Sequence, residues 1–223
     1  MHRVLIISAL VLGAAGSHAA ENTNPKARLA AAARVARRVQ TAIPADYWQK
    51  ARCIAVFPEL RNTEFIVAAK YGKGVLSCRT GDRWSAPAFV EIGKASRMSQ
   101  MGAQAVDIVF LIMNEGAVRM LMQQKVTLGA DASLAAGPMD SQPRVDPAVF
   151  RADILTYSVA KGLSLNLAGG VLRPDDDAND DVYGRRASLR TILAGPDLSA
   201  PAEAQGFIAA LSTQAADPWH RSA

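Results

Sequence analysis

The chain has 223 residues, half of them hydrophobic and a fifth charged, with 25 basic side chains against 20 acidic ones. That is enough apolar chain for one domain with a real core, and it excludes a disordered or low-complexity protein. The net charge of +5 is too small to argue nucleic-acid binding, and the three histidines, His2, His18 and His220, lie at the two ends, so Ser-His-Asp and Cys-His catalysis and nearly all transition-metal sites are excluded from the body.

In chain order, Arg3 precedes the apolar run VLIISALVLGAAG, and the small residues of SHAA follow it. The run is short for a bilayer span, so residues 1–20 read as a secretory signal peptide cut after Ala19 or Ala20. An uncleaved anchor is the alternative. The rest of the chain is then expected in the periplasm or outside the cell. No later segment is long and apolar enough for a membrane-spanning helix.

Residues 25–43, PKARLAAAARVARRVQTAI, are rich in helix formers, with Pro25 suited to a first turn and Pro44 to a stop. At helical spacing Leu29, Ala32, Ala36, Val39 and Ile43 share one face, while Lys26, Arg34, Arg37 and Arg38 gather on the other. Such a basic amphipathic helix either lies on an anionic membrane surface or docks its stripe on the core. The stripe is mostly alanine, which is weak for insertion.

From Cys53 the pattern is that of strands. CIAVFPEL is expected to end at Pro58, EFIVAAKYGKGVLSCR reads as two extended pieces, TGDRW as a turn and SAPAFVEIG as a further strand. AQAVDIVFLIM, with Asp107 as its one charge, reads as a buried central strand. Asn114 caps a short helix, EGAVRMLMQQ. KVTLGADASLAAGP then alternates as a strand over 125–136, though almost all its side chains are small. That points to a close neighbour, or to a segment that is no ordinary strand. ILTYSVA and LSLNLAGGVL look like a hairpin across KG, RPDDDANDD like a solvated acidic loop, and PAEAQGFIAALSTQ like a closing helix. The expected fold is a single α+β domain with a largely antiparallel sheet, a few flanking helices and the N-terminal amphipathic helix. Its parts are a signal peptide (1–20), the basic helix (21–46), a core (47–195) and a C-terminal helix and tail (196–223).

Two cysteines, Cys53 and Cys78, suit one disulfide in an oxidising compartment, worth about 3 kcal/mol by chain entropy; two buried free thiols are the alternative. The acidic loop Asp175–Asp180 lacks the ligand order of a calcium loop. Asp107 and Asp131 are candidates for a hydrolytic carboxylate pair, but satisfying buried backbone or a basic side chain is the better reading. Tyr71 and Trp84, beside basic residues, either line a headgroup recess or form core edges.

Taken together, IAVFPEL, AAKYGKGVLSCR, WSAPAFVEIG, GAQAVDIVFLIMN, TLGADASLAAGP, ILTYSVAKGLSLNLAGGVLRPD and ANDDVYG resemble the SYLF, or Ysc84-type, family over roughly residues 27–195. The resemblance implies a non-enzymatic domain without cofactor or metal that binds anionic lipids of the phosphoinositide type, with actin binding in one branch. It also implies that the N-terminal basic segment contributes to membrane binding. The candidate lipid-binding residues are Arg34, Arg37, Arg38, Lys70, Lys73 and Lys125. In TLGADASLAAGP most positions are expected to serve packing, with Lys125 and Asp131 the only ones to face a ligand. The loop after VFP is ELRNTEF here, without the family's glycines, which puts its function in doubt. A signal peptide also argues against cytoplasmic actin as a partner. An envelope protein partner is the alternative to membrane lipid, and no nucleic acid is expected.

Overall fold

The computed structural model describes residues 24–61, 71–93, 105–123, 125–137, 148–158, 167–184, 187–195 and 198–212. The first helix, α1 (Pro25–Gln40), starts with Pro25 in its first turn and Asn24 as cap, whose side chain accepts the Lys26 N–H at 2.9 Å. It stops three residues before the expected end, in a turn that leads to α2 (Ala45–Lys50). The strands β1 (Cys53–Arg61), β2 (Tyr71–Thr80), β3 (Arg83–Trp84), β4 (Ala88–Gly93) and β5 (Ala105–Ile112) follow. After them come α3 (Glu115–Leu121), β6 (Val126–Thr127), β7 (Leu134–Ala136), β8 (Ile154–Ser158) and β9 (Val171–Pro174). The chain closes with α4 (Asp176–Tyr183), α5 (Leu189–Ala194) and α6 (Gln205–Ser212).

The sheet order is β6-β9-β4-β2-β1-β5-β8-β7, with β3 attached to β2. Every described pairing is antiparallel except β7 with β8. Strands β6 and β7 lie at opposite ends of this order, yet only the short segment from Thr127 to Leu134 separates them in sequence. Seven interstrand steps of about 4.8 Å would set them about 34 Å apart in a flat sheet, beyond the ~25 Å reach of that segment. The sheet is therefore curled, and residues 128–133 bridge its edges. Leu128 donates to the Gly170 carbonyl at 2.8 Å, and Ile154 donates to that of Ser133 at 3.0 Å.

Central β1 is apolar on both faces because both are covered. Cys53, Ala55 and Phe57 join a core that unites both edges of the sheet with α3 and α5. Ile54 and Val56 join a second core under α1, α2 and α6. Both the N-terminal and the C-terminal helix are thus built into one α+β domain.

Four expectations need correction. First, β1 does not end at Pro58; its pairing with β5 shifts register between Phe57 and Leu60 and continues to Arg61. Second, residues 125–136 are not one strand. Gly129, at φ +82°, turns the chain, Asp131 Oδ2 accepts the Thr127 N–H at 2.6 Å, and the extended path resumes only at Leu134. Third, β8 pairs with β5 and β7, whereas β9 pairs with β4 and β6, so 154–158 and 171–174 are not hairpin partners; residues 159–166 lie outside the described set. Fourth, the acidic segment is helix α4, not a solvated loop, and Asp175 before it is buried. α5, capped by Ser188 on the Thr191 N–H at 3.1 Å, had no counterpart among the expected elements.

Candidate functional site

Helix α1 divides its faces sharply. Leu29, Ala32, Ala36 and Val39 are all buried, packed in one core with Ile54, Val56, Val75 and Phe207. Arg34, Arg37 and Arg38 are exposed on the opposite side. Arg38 forms an ion pair with Asp107 of β5. The other oxygen of that carboxylate accepts the Glu59 N–H at 2.9 Å, holding the β1 irregularity where Glu59 adopts φ +51°. Arg37 reaches the Gly206 carbonyl at 3.4 Å. Arg34 and Arg38 border a groove of about 390 Å³ with Glu59 and Asp107 on its far wall.

Lys73 lies elsewhere, in a ladder of charges. The register sets Lys73 beside Glu91 and Glu91 beside Arg173 across β2, β4 and β9. Lys73 bonds Glu91 at 2.8 Å and Asp175 at 2.9 Å, and Arg173 Nε bonds Glu91 at 2.5 Å. Arg28, only 1% exposed, reaches down from the buried side of α1 to Asp175 at 2.8 Å and over the Phe89 ring. Burial works against the Asp175 charge, but hydrogen bonds from Lys73 and Arg28 outweigh it and hold the carboxyl below its usual range. Burial likewise opposes the Lys73 charge, and Glu91 and Asp175 more than offset it, raising its ammonium above the ordinary value. Lys73 is therefore held between two carboxylates.

Exposed Lys125 borders the groove of about 470 Å³ beside this ladder. Carboxylates outnumber cations there, since Glu91, Asp175, Asp176 and Asp177 face Lys73, Lys125 and Arg173. That balance disfavours an anion. Lys70 and its surroundings lie outside the described residues. Of the five described candidates, Arg34, Arg37 and Arg38 share one surface.

The other candidates resolve into structural roles. Asp107 and Asp131 each accept a backbone N–H, and they are not brought together: Asp107 faces α1, while Asp131 belongs to the turn whose Ala132 packs in the other core. Cys53 and Cys78 face each other across β1 and β2 and are joined in a disulfide, with Cα atoms 3.9 Å apart. Trp84 is a core edge, buried beneath the Arg79 guanidinium at 4.4 Å. Among the described residues no cluster of His, Cys, Asp or Glu is arranged to hold a metal.

The sequence reading did not single out Arg28, and it took Asp175 only as the start of an acidic loop. The signal for Arg28 was present: it shares the i, i+4, i+7, i+11 stripe with Ala32, Val35 and Val39, all buried. An arginine on an apolar stripe calls for a buried acid, and Asp175, 147 residues away, supplies it.

No curated protein matches the chain. One family model, described as Ysc84, Las17-binding protein actin regulator, matches residues 93–214. The match begins at the last residue of β4 and takes in β5 to β9 and α3 to α6, so it does not include α1. The family is one of lipid- and actin-binding modules. A match over more than half of the chain, on a curled, largely antiparallel sheet flanked by helices, shows that this protein belongs to the Ysc84, or SYLF, family.

Proposed function

We propose that the protein is an exported, non-enzymatic module that binds anionic membrane lipids peripherally, through the exposed arginine face of α1. One observation carries this reading. The apolar stripe of α1 is consumed by the core, while Arg34, Arg37 and Arg38 are exposed on its other face, Arg34 and Arg37 without an ion pair among the described residues. The helix therefore meets a membrane with its charges and not with its hydrophobic side. No helix among the described residues is long and apolar enough to cross a bilayer. The signal-like residues 1–20 support the export reading, and a phosphoinositide-type headgroup is the ligand the family likeness favours.

Each arginine near an anionic surface contributes about 1 kcal/mol, so three give roughly two decades of partitioning, screened by salt. The test is binding of the purified protein to vesicles of phosphatidylserine and phosphatidylcholine, against phosphatidylcholine alone, at rising salt. Binding confined to the anionic vesicles and lost by about 0.5 M salt is expected. Equal binding to neutral vesicles, or binding indifferent to salt, would sink the reading.

A further inference from the structure

A second basic place lies at the other end of β1. Arg52 precedes the first residue of β1 and Glu59 lies near its far end, so this place is about 20 Å from the Arg34–Arg38 groove along the strand. Here α2, the ends of β2 and β5 and the turn at 148–152 enclose a groove of about 620 Å³. Lys50, Arg52, Arg79 and Arg151 line it, against one carboxylate, Asp46. Asp46 pairs with Lys50 at 3.5 Å, and Arg52 leans on Glu115 of α3 at 3.4 Å. Arg151 is exposed and has no ion pair among the described residues.

Two features distinguish this groove from a scatter of surface cations. Arg79 is fixed in advance: its Nε donates to the Ala51 carbonyl at 3.1 Å, and its guanidinium lies 4.4 Å over the Trp84 ring. Burial first, and the nearby Arg52 second, disfavour the Arg79 charge, and an oxyanion between the two guanidinium groups would favour both. Beside the cations, Phe150 stands 74% exposed, the one large hydrophobic side chain so placed among the described residues. A held guanidinium, a second arginine and a bare aromatic rim match a ligand with an anionic head and an apolar continuation.

We propose that this groove binds the phosphate head of a single anionic lipid, with Arg52 and Arg79 on the phosphate and the start of the acyl chain against Phe150. The site is separate from the vesicle-facing arginines, and the two readings fail independently.

The test is calorimetric titration of the purified protein with dihexanoyl phosphatidic acid below its micellar concentration. Glycerol 3-phosphate and dihexanoyl phosphatidylcholine are titrated in parallel. The phosphatidic acid is expected to bind at least about tenfold tighter than either. Arg52→Ala and Phe150→Ser, both at half-exposed or more open positions, are each expected to weaken it about tenfold. Equal binding of glycerol 3-phosphate would overturn the apolar half of the proposal, and equal binding of phosphatidylcholine the anionic half. No binding, or binding indifferent to both groove substitutions, would overturn it outright. Circular dichroism of each variant separates lost binding from lost fold.

Discussion

Asp175 is 4% exposed and held between Arg28 and Lys73, an arrangement that is costly to break from one side. Asp175→Asn keeps the shape but strands the Arg28 guanidinium in the core, and is expected to cost about 3–5 kcal/mol in denaturant unfolding. The same group sets a pH dependence. Its folded pKa lies below the unfolded value of about 3.9, so its contribution is full above that value and fades as pH falls through the folded pKa. Acid titration of stability is therefore expected to show a loss setting in below about pH 4 that Asp175→Asn largely lacks. Gly137 is a second pressure point. A Cβ there would overlap the ring of Tyr157, which is buried on β8. Gly137→Ala is expected to cost about 1–3 kcal/mol by overpacking, read as a lower Tm; an unchanged Tm would show that the ring moves freely. This contact explains part of the small-residue run after Lys125: a neighbour does pack very close. That much was legible from composition, but which neighbour was not, because Tyr157 is 20 positions further along the chain.

The disulfide and the long strands were readable because each is fixed locally. Cys53 and Cys78 fall in apolar strand patterns, and strand pairing sets them opposite each other. Replacing both by alanine is expected to lower unfolding free energy by about 3 kcal/mol under oxidising conditions. Adding reductant should then barely affect the variant while destabilising the parent protein. The cap at Asn114 was equally visible, since its Oδ1 takes the Ala117 N–H at 2.9 Å as its position suggests. Two other elements misled for physical reasons. Alternation in KVTLGADASLAAGP survived a turn because Leu128 and Ala132 are bridged on either side of it and both remain buried. RPDDDANDD looked like solvent-facing loop by charge count, yet Ala178 and Asn179 are buried within α4. Asn179 pairs with both backbone groups of Phe89 at 2.8 Å. Charge composition reports how many acids a segment has, not which of them find a buried cation.

Seen entire, the molecule is a curled sheet with one core inside the curl and another under α1 and α6. The second core decides how α1 can act. In sequence the helix left membrane contact and docking open, with an alanine stripe weak for insertion; in the fold that stripe is docked, and removing residues 21–43 would remove part of the core along with any lipid contact. Point changes on the exposed face are therefore the informative probes. Arg38 is the poorer choice, because its partner Asp107 also steadies the β1 irregularity. Arg34 and Arg37 carry no ion pair among the described residues. The most direct measurement is co-sedimentation of the Arg34→Glu/Arg37→Glu protein with phosphatidylserine vesicles at low salt, after circular dichroism has verified an unchanged fold. Binding at least about tenfold weaker than that of the parent protein is expected. Undiminished binding by a folded double variant would contradict membrane attachment through the arginine face of α1.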